Sequence, residues 1–269
     1  MDQAYRPRSE DLRMKADIRV ENVHKSFRRG HDKVLDGVDI YFPAGKLTYI
    51  LGPSGTGKSV LLKYILGLLR PDAGDIIVGG HNMNELRGRA LAKHRMIYGV
   101  LFQNSALFDD MTIFENVAFP LREHTDLSEA EIEKAVIDRL TFLGISTGYD
   151  KYPNELSGGM KKRVGLARAI IREPEILLYD EPTTGLDPVT RTTVDELIAQ
   201  LKAELKLTSV VISHDIPSAM RLADQIVFLY KGKVAFCGNA LDFKKSDHPQ
   251  IQEFLHAEDV MVQSFLRDK

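Results

Sequence analysis

The stretch that decides the fold is Gly52-Pro53-Ser54-Gly55-Thr56-Gly57-Lys58-Ser59. It follows the compact apolar run 47–51 and precedes a helical stretch, 58–69, that we expect Pro71 to stop. Glycines let the backbone curl so that several N–H groups converge on phosphate oxygens, and the positive end of the helix adds to the attraction. The spacing G-x-x-x-x-G-K-[ST] therefore predicts a strand, a phosphate-binding turn and a helix. Lys58 is expected to contact the β- and γ-phosphates and Ser59 to ligate Mg²⁺.

A second motif supplies two carboxylates. Four apolar residues, 176–179, lead directly to Asp180 and Glu181. Polar groups at the carboxyl end of a buried parallel strand face a ligand crevice. We expect Asp180 to act on the Mg²⁺ side through water, and Glu181 to polarise the attacking water. A surface acidic pair is the alternative, but the apolar run before it and Pro-Thr-Thr-Gly after it argue against that. The two motifs together indicate a P-loop nucleoside triphosphatase.

The bulk properties exclude several classes of protein. A net charge of -2 over 269 residues gives no general attraction to nucleic acid or to acidic membranes, so we expect no nucleic-acid partner. The single cysteine, Cys237, excludes an internal disulfide framework and suits a reducing cytosol. No segment approaches the roughly 20 apolar residues of a spanning helix, and the first residues lack the apolar region of a signal peptide. Any membrane role is therefore expected to run through a partner.

The first part of the chain divides into a leader and a sheet. Residues 1–16 are charged, contain Pro7 and show no period, which indicates a flexible leader. Short apolar alternations between residues 17 and 42 are typical of half-buried strands in an antiparallel sheet.

The rest of the chain combines a helical insertion with alternating elements. Residues 105–160 indicate a mostly helical insertion, in which Ser128 and Glu131 have capping-box spacing. The elements expected after it are a helix to about 172, strand 176–179, helix 194–205 and strand 209–213. Such alternation predicts a parallel sheet covered by helices.

A third motif carries a family resemblance. Leu156-Ser157-Gly158-Gly159-Met160 resembles the LSGGQ signature of ABC ATPases. Ser157 can cap a helix whose free N–H groups form a second anion cradle, and Gly158 and Gly159 permit close approach. In the ABC family, two protomers pair head to tail, so that the phosphate loop of each faces the signature of the other. The resemblance therefore implies a second copy of the chain as a partner.

More of the ABC pattern follows in order, over about residues 17–240. Gln103 matches the Q-loop glutamine, a contact of Mg²⁺ and water linked to the helical insertion. Asp187, in Gly-Leu-Asp, matches the D-loop that crosses the dimer interface, and His214 matches the switch histidine at the γ-phosphate. Phe27 lies where an aromatic ring usually stacks on adenine, although a core role is the alternative. The resemblance implies ATP and Mg²⁺, with Ser59, Gln103 and Asp180 around the metal.

The fold implied by this resemblance is α/β. We expect a P-loop core with a parallel sheet, an N-terminal antiparallel β subdomain and a helical signature subdomain at about 105–160. The ATPase domain is expected to span 17–240, and residues 241–269 to form a C-terminal helical extension.

The subfamily is indicated by Met160 and by the stretch 106–124, both of which look like the ATPases of Mla/Mce-type lipid transporters. This likeness implies phospholipid or a related hydrophobic cargo. It also implies an integral membrane permease, an MCE-domain substrate-binding protein and a small STAS-domain protein. The ATPase would lie on the cytoplasmic face of the inner membrane, bound through the permease. The alternatives are a different cargo or an ABC ATPase that works outside transport.

Two apolar segments remain ambiguous. By family analogy a permease helix docks near 103–119, where Leu107, Phe108 and Met111 line the groove or simply pack under the loop. The C-terminal extension has an apolar helical stripe. Its residues are Ile251, Phe254, Leu255, Val262, Phe265 and Leu266. This stripe packs on its own domain, or contacts the second ATPase subunit or an accessory protein.

Overall fold

The structure is a computed structural model that describes residues 16–27 and 32–256. Of the predicted leader only Ala16 is described. It is buried, and its carbonyl oxygen accepts a hydrogen bond from Thr208 Oγ1 at 2.7 Å. Residue 16 therefore belongs to the packed domain. Three members of the predicted C-terminal stripe lie outside the described residues, namely Val262, Phe265 and Leu266.

Strands and helices alternate along most of the chain. The strands are β1 Ile18–Phe27, β2 Asp32–Phe42, β3 Leu47–Leu51, β4 Ala73–Val78, β5 His81–Asn82, β6 Tyr98–Leu101, β7 Ile176–Asp180, β8 Thr208–Ile212, β9 Gln225–Tyr230 and β10 Lys233–Gly238. The helices are α1 Lys58–Ile65, α2 Gly88–His94, α3 Ile113–His124, α4 Glu129–Phe142, α5 Gly158–Ile170, α6 Pro188–Leu205, α7 Ile216–Leu222 and α8 Ala240–Lys244. Residues 249–256 are also helical.

The first sheet is antiparallel, with the order β2-β1-β4-β5. Its apolar alternation buries one face: Ile18, Val20 and Val23 lie inside, as do Val38 and Ile40 of the neighbouring strand. The antiparallel N-terminal sheet predicted from this alternation is confirmed.

The second sheet has the order β10-β9-β3-β8-β7-β6. Every pairing in it is parallel except that of β9 with β10. In a parallel arrangement the carboxyl ends of the strands meet at one edge. The segments that follow β3, β6, β7 and β8 therefore emerge side by side, and they contain the phosphate loop, Gln103, the two carboxylates and His214.

The second sheet is buried on both faces. Leu47, Tyr49 and Leu51 of β3 point into one apolar cluster with α3 to α7, while Ile50 points into the other with α1 and the antiparallel sheet. Strands covered on both faces read as continuous apolar runs. The cluster with α3 to α7 extends to the end of the described chain, where Ile251 is fully buried.

Helices α3 and α4 lie between β6 and the signature segment. The capping box predicted at the start of α4 is present: Ser128 N donates to Glu131 Oε2 at 2.8 Å, and Glu131 N donates to Ser128 Oγ at 3.4 Å. A second box, between Thr112 and Glu115, begins α3. Each box satisfies backbone N–H groups that the helix itself leaves free.

Two predicted helix boundaries are wrong. Helix α1 ends at Ile65 and not at residue 69, because Gly67 adopts φ +65° and the Leu68 N–H turns back to the Lys63 carbonyl at 2.8 Å. Helix α6 begins at 188, six residues before the predicted start, because Asp187 caps it. Residues 188–193 show no apolar period, so the sequence pattern does not reveal this start.

The described part of the C-terminal extension packs on its own domain. The Phe254 ring lies 5.3 Å from the ring of Phe228 in β9, and the Phe243 ring of α8 lies 5.9 Å from Phe228. For residues up to 256, the simpler of the two predictions holds. Within the described residues, no helix has the length and apolar character that crossing a membrane requires.

Candidate functional site

The phosphate loop runs from β3 into α1, and its glycines have different reasons to be there. Gly52 has φ +144°, and a Cβ on it would lie 2.2 Å from the Leu229 carbonyl oxygen. Gly57 has φ +98°, and a Cβ there would lie 2.6 Å from Leu35 Cδ2. Gly55 has φ +80° and meets nothing within 4 Å. Neighbouring elements leave no room for a side chain at Gly52 and Gly57, whereas Gly55 leaves an open backbone surface for a ligand.

Lys58 lies inside this loop. Its Nζ donates to the carbonyl oxygens of Gly52 at 2.6 Å and Pro53 at 3.0 Å. Burial lowers the pKa of Lys58, and the nearby carboxylates of Glu181 and Asp180 oppose that shift. The loop thus holds a cation that faces the end of β7.

Glu181 and His214 form a contact between the segments after β7 and β8. His214 Nδ1 lies 2.9 Å from Glu181 Oε2, which also accepts a hydrogen bond from Thr184 Oγ1 at 2.9 Å. Burial raises the pKa of Glu181, but these two hydrogen bonds together with the charges of His214 and Lys58 outweigh it, and the net pKa is lowered. The hydrogen bond between His214 and Glu181 raises the pKa of His214. Glu181 is therefore ionised at neutral pH and oriented by two donors.

Asp180 ends β7 beside this pair. Burial raises its pKa, the charge of Glu181 raises it further, and Lys63, Lys162 and Lys58 act in the opposite direction. Two adjacent carboxylates surrounded by lysines give the site both an anionic edge and a cationic loop.

A cavity of about 550 Å³ is bounded by the phosphate loop. Eight predicted site residues line it, namely Ser54, Gly55, Gly57, Lys58, Ser59, Gln103, Glu181 and His214. The remaining lining residues are Val34, Val60 and Thr184. Residues from four separate loops therefore face one space large enough for a nucleotide.

The signature residues lie elsewhere. Ser157 caps α5, with its Oγ accepting from Met160 N at 3.3 Å, and Gly158 beside it is exposed. A Cβ on Gly159 would lie 2.8 Å from Thr190 Cγ2, so this glycine is needed for contact with α6. None of the three signature residues lines the 550 Å³ cavity. Asp187 is not on its wall either; its carboxylate caps α6 through Val189 N and Thr190 N, both at 3.0 Å.

Phe27 stands at the end of β1 with 40% of its surface exposed, so the alternative of a core position is wrong. Its ring lies 5.3 Å from Lys25 Nζ and is not on the cavity wall.

Sequence reasoning missed three residues around the site. Thr184 orients Glu181, and Lys162 of α5 donates to the Gln103 carbonyl oxygen at 2.5 Å. Asn116 of α3 is fully buried and holds the loop before that helix. Thr184 belongs to the Pro-Thr-Thr-Gly run after the carboxylates, which is a signal that could have found it. Asn116 and Lys162 gave no such signal, because each acts on a segment that is distant in sequence or irregular.

A second cavity, of about 480 Å³, lies between the core and the helical part. Its aromatic wall consists of Phe102, Phe108 and Phe119, and Arg168 and Arg172 line it as well. Phe108 is 41% exposed, whereas Leu107 packs against the core. Of the predicted groove residues Leu107, Phe108 and Met111, only Phe108 lines this cavity.

A family model and comparisons with known proteins agree on the family of this chain. Residues 35–184 match the family described as ABC transporter. The chain is 40% identical over 230 residues to the intermembrane phospholipid transport system ATP-binding protein MlaF of Escherichia coli K12, a match that covers 86% of each chain. It is also 40% identical over 254 residues to the probable ribonucleotide transport ATP-binding protein mkl of Mycobacterium tuberculosis, covering 94% of this chain and 70% of that one.

Solved structures agree. A dimeric, post-hydrolysis form of the ATP-binding cassette MJ0796 bound to ADP and Pi superposes with a TM-score of 0.75 at 32% identity, covering 83% of this chain and 98% of that one. The cbiO1 component of an ABC transporter complex from Clostridium perfringens gives 0.77 at 30% identity, covering 90% and 98%. With the phosphate loop, the carboxylates after β7 and the histidine after β8 facing one cavity, the chain belongs to the ABC transporter family as an ATP-binding and ATP-hydrolysing subunit.

Proposed function

We propose that this chain powers the movement of phospholipid, or of a related hydrophobic molecule, between membranes through a separate permease. Its role in driving transport by ATP hydrolysis is supported by the cavity in which Lys58 faces the Glu181–His214 pair. The cargo is supported by the 40% identity to a relative named for intermembrane phospholipid transport.

We assign the phosphates of ATP to the loop 52–59. Backbone N–H groups there and the start of α1 would hold the phosphate oxygens, and the Lys58 ammonium would neutralise the β- and γ-phosphates. Phe27, which is exposed at the end of β1, would stack on adenine.

Mg²⁺ fits the donors that the site offers. The Ser59 hydroxyl and the Gln103 side-chain carbonyl belong to residues on the cavity wall and are oxygen ligands, the kind that Mg²⁺ prefers. The Asp180 carboxylate, which is not on the wall, would act on the ion through water. When bound, the ion would neutralise charge on the β- and γ-phosphate oxygens. Lys58, Lys63 and Lys162 oppose the raised pKa of Asp180, which favours the charged carboxylate that such a site needs.

Hydrolysis is assigned to Glu181 and His214. The lowered pKa of Glu181 leaves its carboxylate ionised and able to accept a proton from water, and Thr184 holds one of its oxygens. His214, with a raised pKa, supplies positive charge at the γ-phosphate.

The complete site requires a second copy of the chain. Ser157, Gly158 and Gly159 are presented at the start of α5 and are absent from the cavity wall of their own protomer. Head-to-tail pairing would bring them, with Asp187, onto the nucleotide of the partner. This arrangement is supported by the likeness to a dimeric cassette. Activity should therefore rise with protein concentration.

The substitution Glu181→Gln tests the assignment. It keeps the shape of the side chain and removes its charge, so we expect ATP turnover to fall about 10²- to 10⁴-fold and an ATP-bound dimer to accumulate on size-exclusion chromatography. Glu133→Gln is the matched control, because Glu133 is exposed on α4. Turnover at the normal rate in Glu181→Gln would show that another group activates the water.

The cavity beside Phe108 is assigned to the permease. Its walls combine aromatic rings with Arg168 and Arg172, and burial is the cause that lowers the pKa of each guanidinium. A short apolar helix that brings one carboxylate would satisfy both features. We place the chain on the cytoplasmic face of the inner membrane through this contact, with an MCE-domain protein and a STAS-domain protein as further components.

The second candidate keeps the transporter and changes the cargo, since the other group of relatives is named for ribonucleotide transport. An ABC ATPase outside transport is the remaining possibility. Purification of the complex from detergent-solubilised membranes, with mass spectrometry of its proteins and small molecules, separates the three. An integral membrane partner with phospholipid supports the proposal, ribonucleotide supports the second candidate, and nucleic acid without a membrane partner contradicts both.

A further inference from the structure

Among the described residues two lysines are buried: Lys58 in the phosphate loop, and Lys162 in α5, with 4% of its surface exposed. Lys162 Nζ donates to the Gln103 carbonyl oxygen at 2.5 Å, across 59 residues of sequence. Hiding a long charged side chain is costly unless its charge meets a partner. The burial of Lys58 is explained by its place in the phosphate loop, whereas the burial of Lys162 needs a separate explanation.

The backbone that Lys162 holds is irregular. Ser105 and Ala106 have φ +59° and +45°, in the left-handed region that residues with a Cβ rarely adopt. Two consecutive residues of this kind persist only when their surroundings hold them.

Helix α5 provides those surroundings along one side. One turn after Lys162, Gly165 lets the helix approach so closely that a Cβ would lie 2.9 Å from Leu101 Cδ1 and 3.1 Å from Ser105 Cβ. Another turn on, Arg168 Nη2 donates to the Ser105 carbonyl oxygen at 2.8 Å. The loop 102–106 is thus attached to α5 at three successive turns, and Lys162 makes the attachment nearest to the ATP site.

Lys162 also contributes charge. Burial lowers its pKa to about 8, and Asp180 and Glu181, the charged groups that face it, oppose the shift. It acts in turn against the raised pKa of Asp180. Since α5 begins directly after Ser157, one helix carries the signature cap at its start and, within its second turn, the cation that holds Gln103.

We propose that Lys162 is a positioning residue for ATP hydrolysis: it holds the main chain of Gln103 so that its side chain stays at the cavity wall, and it makes α5 and the Gln103 loop move as one unit. This inference rests on the proposed roles of Gln103 and Ser157. Lys162 does not itself line the cavity, so its effect is expected on turnover and not on ATP affinity.

The experiment compares Lys162→Met, which keeps length and removes both donor and charge, with Lys162→Arg, which retains them. Lys134→Met on α4 is the control, because Lys134 is exposed. We expect kcat of Lys162→Met to fall about 10- to 100-fold, as for small misplacements of a catalytic group, with the KM for ATP within about threefold. Lys162→Arg should recover most of kcat, and Lys134→Met should match the wild type.

Recovery of kcat in Lys162→Arg, with the KM for ATP unchanged, is a readout that simple packing would not give. This second variant decides the matter if Lys162→Met does not fold. An unchanged kcat in Lys162→Met, or a kcat in Lys162→Arg that does not recover toward the wild-type value, overturns the inference. Gln103→Ala tests the proposed function separately from this inference. Normal turnover in that variant would show that Gln103 itself has no role in hydrolysis.

Discussion

Asn116→Ala is expected to be among the more destabilising changes to a polar residue of this protein. Asn116 is fully buried in the first turn of α3. Its Oδ1 accepts from Phe108 N at 2.8 Å, and its Nδ2 donates to the carbonyl oxygens of Phe108, Met111 and Thr112, each at 3.0 Å. One amide therefore closes the whole turn 108–112 against the helix.

The magnitude follows from the number of bonds. The amide has two N–H hydrogens, which three carbonyl oxygens share, and its Oδ1 accepts from Phe108 N and, at the longer distance of 3.4 Å, from Arg168 Nη1. Without the long contact to Arg168, three full hydrogen bonds are lost. At about 1 kcal/mol net each, the loss is about 3 kcal/mol. Water entering the vacated space would lower this figure, and carbonyls left unpaired would raise it, which gives a range of about 2–4 kcal/mol.

Equilibrium urea denaturation measures this directly, with the midpoint shifted and the slope unchanged. Asn104→Ala is the matched control, since Asn104 is exposed in the preceding loop. A surface change of that kind should stay within about 0.5 kcal/mol of the wild type. If Asn116→Ala falls within the same margin, the hydrogen bonds of Asn116 do not stabilise the fold and the reasoning fails.

Two further predictions concern the phosphate loop and the switch pair. Gly52→Ala places a methyl group 2.2 Å from the Leu229 carbonyl oxygen and should abolish ATP binding with a clear loss of stability, whereas Gly55→Ala meets only backbone strain, about 1–2 kcal/mol. Equal losses in urea denaturation would contradict this. In an NMR titration His214 should show a pKa above its ordinary 6.5 that falls when Glu181 is changed to Gln. A group whose pKa is raised by folding stabilises the folded protein at pH values below its unfolded pKa. The wild type should therefore be more stable than His214→Ala at low pH, by under about 1 kcal/mol for this exposed contact. This advantage should disappear as pH rises through the folded pKa of His214. An advantage that persists at high pH would contradict the pairing.

Local chemistry can be predicted from residue type and spacing. The phosphate loop, the capping box at Ser128 and the strand that leads to Asp180 each depend on contacts within a few residues, so spacing alone identifies them. Where local signals compete, the prediction is less accurate: an apolar run continues past Gly67, and the start of α6 at 188 carries no apolar period.

Long-range contacts are decided by the tertiary structure. Glu181 and His214 are 33 residues apart in sequence and meet because β7 and β8 are parallel neighbours whose carboxyl ends share an edge. Lys162 reaches Gln103 because Gly165 allows α5 to approach the loop. No spacing rule predicts either contact, since each depends on which surfaces pack together.

The sequence alone determined that this chain has a phosphate loop, two carboxylates after a buried strand and a second anion cradle, because those features depend on residue type and short spacing. Only the tertiary structure decided how they are distributed. It gathers Lys58, Gln103, Glu181 and His214 around one cavity and leaves Ser157 at a helix start away from the cavity wall. The physical reason is that a parallel sheet aligns the loops after its strands at one edge, whereas Ser157 follows no strand of this sheet and stands at the start of α5.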